Sequence, residues 1–144
     1  MSGDFAALAE IAARMKLQAL SEFAQLRRRE AALSAEIAKL AATLERETVA
    51  VQPGELTAAL ALQRFASVAA QRSDRLLAKK RALTPELEEA RKRAMRENGK
   101  VEAIEILASR ERAEARQRNL RREENMAPTA IRAFRVSPLA SSKR

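Results

Sequence analysis

The side chains best suited to acid–base chemistry are two pairs of adjacent carboxylates, Glu88-Glu89 and Glu123-Glu124. Adjacent residues on a helix point in different directions, so neither pair can share a proton or a metal ion. The chain has no His and no Cys, and its three Gly are isolated. The commonest general base, thiolate ligands and phosphate-binding loops are therefore missing. The sequence predicts a non-enzymatic protein with no catalytic, cofactor or metal site and no small-molecule substrate.

The elements that would carry these side chains are long helices. Ala, Leu, Glu, Arg and Lys dominate the chain, and aromatic residues make up only 3%, a composition typical of extended helices. From Ala59 to Ala108, apolar residues recur in a seven-residue pattern that is interrupted by Ser73, Lys80 and Glu97. Such a repeat is typical of a coiled-coil seam, which requires a partner helix.

The N-terminal third supplies that partner. No Gly or Pro occurs between Asp4 and Gln52, and Pro53-Gly54 then forms the strongest break in the sequence. The expected fold is all-α: a long antiparallel coiled-coil hairpin with one helix over about 4–50, a turn over about 51–55 and a second helix over about 56–125. The second helix is longer and overhangs the first. The predicted hairpin seam consists of Phe23, Leu26, Leu33, Ile37, Leu40, Leu44, Leu62, Leu76, Leu83, Leu87, Val101 and Ile104.

Two details of this hairpin follow from the spacing. A reversal centred on Pro53 places Leu44 opposite Leu62 and Phe23 opposite Leu83. Near the N-terminus, Leu8, Ile11 and Met15 are one position out of phase with the later seam, so the apolar stripe is expected to drift or broaden there.

Thr84-Pro85 leaves two readings open. Thr is a favourable N-cap, and Pro is favoured at the first helical position, which would start a new helix and give a three-helix bundle with a corner at Thr84. However, Leu83 and Leu87 stay in phase across the proline. The intact repeat favours a single helix that is kinked at 84–85.

Charge is distributed unevenly. The net charge of +9 is made up of zero over residues 1–54, +5 over 55–125 and +4 over 126–144. The last segment lacks any apolar period and contains two prolines, so a disordered basic tail is predicted over 126–144. Basic triplets on a helix point in several directions, and stacking aromatics are scarce, which argues against a nucleic-acid partner.

The sequence shows neither an apolar run of about 20 residues, as a membrane span requires, nor the basic start and apolar block of a signal peptide. We therefore expect no membrane insertion and a cytoplasmic location.

The chain resembles the flagellar export stalk protein family, FliJ, and its injectisome relative, YscO. The resemblance covers about residues 5–125. It lies in the Ala/Leu/Glu/Arg-rich first helix through Leu44, in Gln63-Arg64-Phe65, in the run 100–107 (KVEAIEIL), and in the charged tract from Arg110 to Glu124. Members of this family are antiparallel helical hairpins similar to the central γ stalk of rotary ATPases.

The resemblance implies a component of a bacterial type III export apparatus, in the cytoplasm or peripheral to the membrane-embedded export machinery. The end of the hairpin that carries both termini would enter the export ATPase hexamer, and the turn, around 48–60, would contact the cytoplasmic domain of the export gate. The candidate partner-binding residues are basic: Arg27, Arg28, Arg29, Arg110, Arg112, Arg116, Arg118, Arg121 and Arg122. A generic coiled-coil adaptor or chaperone, whose seam pairs between chains, is the alternative.

Overall fold

The structure is a computed structural model that describes the backbone of residues 2–141 and the side chains of 3–126. Two helices make up the described chain: α1, Ser2–Ala50, and α2, Leu56–Ser141. They pack against each other as an antiparallel hairpin, and no strand occurs in the described part. The predicted all-α hairpin is confirmed, because α2 continues through Thr84 and Pro85 without the corner that a three-helix bundle would need.

The reversal is short and depends on glycine. Gly54 has φ of +99°, a conformation that L side chains rarely adopt. The amide of Glu55 donates to the carbonyl of Gln52 at 3.4 Å, and the carbonyl of Glu55 accepts the amide of Ala59 at 3.0 Å. This second bond starts the helical ladder of α2, so the chain turns back within five residues.

Proline is accommodated inside α2 at the position that the repeat indicates. Pro85 has no amide hydrogen and cannot donate to the carbonyl one turn earlier. The neighbouring Thr84 hydroxyl donates to the carbonyl of Lys80 at 3.4 Å. Helix α2 tolerates the loss of one backbone hydrogen bond at Pro85, because seam residues before and after the proline hold both parts of α2 against α1.

The C-terminal end of α2 differs from the expected end at about 125. The helix continues past Pro128 and Pro138 to Ser141, although each proline lacks the amide that would donate to the preceding turn. The side chains after Met126 and the whole of 142–144 lie outside the described residues. The predicted disorder of 126–144 remains a prediction.

The chain divides into two units: Ala12–Gly99, and Met1–Ile11 with Lys100–Arg144. In the first unit, the most deeply buried side chains are small. Ala12, Ala19, Ala69, Ala90 and Ala94 are all less than 9% exposed, and Leu76 is the one buried large aliphatic residue in the described seam. Alanine lets two helices approach closely, so this seam gains its contacts from proximity rather than from bulky side chains.

The polar residues within the repeat also lie in the seam. Glu97 is buried, and Ser73 and Lys80 are half-buried. The predicted seam residues of this unit, Phe23 to Leu44 and Leu62 to Leu87, are likewise buried or half-buried.

The unit formed by Met1–Ile11 and Lys100–Arg144 continues the same three–four spacing. Phe5 and Ala9 of α1 are half-buried, as are Val101, Ile104 and Ala108 of α2. The half-buried series on α2 ends at Ala115, and every described side chain from Arg116 to Met126 is exposed.

The predicted drift of the stripe near the N-terminus is wrong. The seam keeps its phase through Ala12 and Ala9, whereas Leu8, Ile11 and Met15 are 48–55% exposed. Small alanines fill the seam positions, and the larger apolar side chains lie beside it.

The pairing of the two helices differs from the predicted register by more than one turn. In that register Leu26 lies opposite Lys80. In the structure, Glu22 and Leu26 line one groove together with α2 residues that begin at Pro85 and extend to Arg93. Near the turn, Glu47 and Ala50 similarly share a groove with Ala61, Leu62 and Phe65.

Candidate partner-binding surfaces

The nine arginines predicted to bind a partner are all exposed. Six of them, from Arg110 to Arg122, lie on α2 in the unit that contains Lys100–Arg144. Four of those six follow Ala115, where α2 no longer buries any described side chain. The segment from Arg116 to Met126 is therefore a fully accessible basic helix, which suits contact with an acidic surface.

The other three arginines form a triplet on α1, and their environments differ. The guanidinium of Arg27 lies over the ring of Phe23, 5.8 Å from its centroid. This cation–π contact covers an aromatic side chain at the edge of the seam. Arg28 and Arg29 are exposed at the next two positions.

One side of the Ala12–Gly99 unit carries an ion pair between the helices. The Nη1 atom of Arg93 donates to Oε2 of Glu22 at 2.9 Å. Beside this pair, Leu26, Pro85 and Ala90 form the apolar floor of a shallow groove whose rim includes Glu86 and Glu89. We call this side the ion-pair flank (Glu22, Glu86, Arg93).

The opposite side of the same unit carries a pair within α2. Arg91 donates from Nε and Nη2 to both carboxylate oxygens of Glu88, at 3.1 and 2.7 Å. The hydrogen bond and charge of Arg91 lower the pKa of Glu88, and the same contact raises the pKa of Arg91. Arg91 also donates from Nη1 to the Sδ atom of Met95 at 3.1 Å.

The turn end presents apolar side chains. Val49, Leu56 and Leu60 are 80%, 74% and 52% exposed, respectively. Two shallow grooves lie beside them, one of which is lined by Glu47, Glu55 and Phe65 among others. Phe65 lies one residue before the half-buried Ala66 and is 36% exposed.

The two pairs of adjacent carboxylates lie in different surroundings. Glu88 is bound by Arg91, Glu89 faces a groove with Arg93, and Glu123 and Glu124 are exposed. Within the described residues, no cluster of acidic side chains could hold a metal ion. The described helices contain no stretch apolar enough to cross a membrane.

Sequence reasoning missed one surface. Leu17, Leu20 and Met95 are 67%, 42% and 61% exposed and fall outside the a and d series. The signal was available in the heptad: with Phe23 at a and Leu83 at d, Leu20 occupies an e position, and Leu17 and Met95 occupy b positions. These positions are usually polar in a solvated hairpin.

The fold is a two-helix antiparallel hairpin with exposed apolar side chains and an exposed basic segment. Comparison of the chain with protein-family models, curated proteins and solved structures found no match.

Proposed function

We propose that the chain is a non-enzymatic stalk or coupling component of a bacterial type III protein export apparatus, of the flagellar kind or its injectisome relative. It would link the export ATPase ring to the export gate in the cytoplasm. The observation that carries this proposal is the exposed arginine segment of α2, which continues as helix after the seam with α1 has ended at Ala115.

Each end of the proposed link has a corresponding surface. The arginines from Arg110 to Arg122 would contact acidic groups of the ATPase hexamer, because long-range attraction favours a basic helix on an acidic lining. The exposed aliphatic residues Val49, Leu56 and Leu60 at the turn would contact the cytoplasmic domain of the gate. Side chains of this type are depleted at free surfaces and enriched in binding patches.

The exposed area of the chain also supports a partner-dependent role. The chain exposes 12056 Å² at a mass of 16.0 kDa. A compact folded monomer of this mass exposes about 7,400 Å². The difference leaves a large surface for association.

The proposal is tested with the purified export ATPase from the same organism. We expect the full chain to increase ATP turnover and to promote assembly of the hexamer, measured by phosphate release and sedimentation velocity. The substitutions Arg116→Glu, Arg118→Glu and Arg122→Glu together should abolish both effects.

The matched control reverses three exposed arginines elsewhere on α2, Arg64→Glu, Arg72→Glu and Arg75→Glu, and should retain both effects. If the unmodified chain changes neither turnover nor assembly, the proposal is wrong. A stable homodimer at low micromolar concentration, combined with that negative result, would favour the adaptor alternative.

A further inference from the structure

Among the exposed large apolar side chains of the Ala12–Gly99 unit, Leu17, Leu20 and Met95 lie outside the a and d positions of the seam. Leu17, Leu20 and Met95 keep 67%, 42% and 61% of their surface exposed. Exposing several such residues together is unfavourable unless the surface binds something. We call these three residues the leucine–methionine patch.

The heptad places the three residues on one side of the seam. Leu20 is at an e position of α1, and Arg91 is at an e position of α2, so both border the interface from the same side. Leu17 and Met95 occupy the adjacent b positions, and the contact from Arg91 Nη1 to Met95 Sδ at 3.1 Å connects the e and b positions of α2. The patch therefore lies across both helices.

The two flanks of this unit differ in chemistry. The ion-pair flank joins the helices through Glu22 and Arg93 and is lined by further carboxylates. On the flank with the patch, Arg91 pairs with Glu88 of the same helix. Between the flanks, the seam is filled by alanines such as Ala19 and Ala90, so the larger apolar side chains lie outside it.

Basic side chains surround the patch. Arg27 and Arg91 lie at e positions, and Arg28 and Lys92 lie at the next positions outward. Arg91 is paired with Glu88 and Arg27 lies over Phe23, so the four basic residues are accompanied by one acidic partner. This excess of positive charge around an apolar centre complements an apolar surface with acidic edges.

We infer that the leucine–methionine patch binds an acidic amphipathic helix of another protein, which lies along α1 and α2 as a third helix. Its apolar stripe would cover Leu17, Leu20 and Met95, and its Glu or Asp side chains would reach the basic rim. Ala13 and Ala24 flank the leucines at e and b positions and allow a helix backbone to approach. The inference goes beyond the proposed function, which uses the C-terminal arginines and the turn.

The test uses the full chain and a pair of fluorescein-labelled helical peptides of about three heptads with Leu at a and d. One carries Glu at e and g, and the other carries Lys; like charges at these positions oppose self-association of either peptide. Fluorescence anisotropy should show saturable binding of the Glu peptide, at least about tenfold tighter than binding of the Lys peptide.

Because the chain is basic overall, the decisive comparison is between variants. Leu17→Gln with Leu20→Gln should weaken binding of the Glu peptide by about tenfold or more. The control, Ile106→Gln with Leu107→Gln, changes two apolar residues of α2 that are 52% and 49% exposed and should bind as the unmodified chain does. Circular dichroism should give the same helix content for both variants, since the substituted side chains are exposed.

Three outcomes would overturn the inference. The first is the absence of saturable binding, and the second is equal loss of binding in the patch and control variants. The third is a dimer of the chain, seen by sedimentation, that disappears in the patch variant; the occupant would then be a second copy.

Discussion

Arg93 of α2 donates to Glu22 of α1 at 2.9 Å, joining residues 71 apart in the sequence. Glu22 and Arg93 both occupy g positions of the heptad, and charged residues also occupy the neighbouring g positions of both helices. Arg29 and Glu36 follow Glu22 at seven-residue steps, and Glu86 and Lys79 precede Arg93 at the same steps. Along α1 these charges are negative, positive and negative, and the facing charges of α2 are positive, negative and positive. If α1 and α2 slipped by one heptad, like charges would face each other.

Reversal of this pair should weaken the hairpin, and exchange of the two charges should restore it. Glu22→Arg and Arg93→Glu each create like charges between α1 and α2. Because both side chains are 42–58% exposed, the coupling energy in the double-mutant cycle should be about 0.2–1 kcal/mol. Urea unfolding followed by circular dichroism measures it, and about 1 M salt should reduce it. A coupling of zero at low salt would contradict a role for this pair in the register.

The hairpin itself could be predicted from the sequence because its signals are strong and local. A heptad that holds from Ala59 to Ala108 predicts a seam, and Pro53-Gly54 is the one place where the chain can reverse at low cost. The continuity of α2 through Pro85 also followed from the phase of Leu83 and Leu87. Each of these depends on spacing along a single helix.

The features that the sequence did not predict depend on distances between the helices. The symmetric count about Pro53 contains no information on how side chains of the two helices fit together. The observed pairing, in which Leu26 shares a groove with Pro85, is shifted from that count by more than one turn. The exposure of Leu8, Ile11 and Met15 depends on whether alanine or a larger residue fills the seam, since either choice satisfies an apolar periodicity. The exposure of the leucine–methionine patch could not be predicted for the same reason: alanines such as Ala19 and Ala90 fill the seam, and the larger apolar residues lie beside it.

Enlarging a buried alanine should destabilise the hairpin. Ala19 is 3% exposed, so Ala19→Leu forces α1 away from α2 and should cost about 1–3 kcal/mol. Ala35→Leu, at an exposed position of the same helix, should change stability by less than about 0.5 kcal/mol. Thermal and urea unfolding measure both variants. If Ala19→Leu stabilised the protein instead, the close approach of the helices in this part of the seam would be disproved.

Replacement by alanine should change the stability of the protein in opposite directions at Gly99 and at Gly54. Gly99 lies inside α2, and a Cβ atom there would have no heavy atom within 4 Å, so Gly99→Ala should stabilise the protein by up to about 1 kcal/mol. Gly54 also has open space, but its φ of +99° is unfavourable for alanine, so Gly54→Ala should destabilise the turn by about 1 kcal/mol or more. The difference in urea midpoint between the two variants checks both. Equal shifts would show that Gly54 does not need a positive φ.

Pro85 gives the sharpest test of whether α2 is one helix. In a helix interior, proline loses a hydrogen bond and crowds the preceding turn, at a cost of about 3 kcal/mol relative to alanine. Since Pro85 lies 29 residues after Leu56 within continuous α2, Pro85→Ala should raise the free energy of unfolding by about 1–3 kcal/mol, because some of the cost is relieved by local adjustment. If Pro85 were instead the first residue of a separate helix, the same substitution would be neutral or destabilising.

Thr84→Ala is the matched control: the Thr84 hydroxyl bonds to the carbonyl of Lys80 rather than capping a new helix, so its loss should change stability little. A destabilisation of about 1 kcal/mol or more in Thr84→Ala, together with no gain in Pro85→Ala, would show that the chain turns a corner at 84–85.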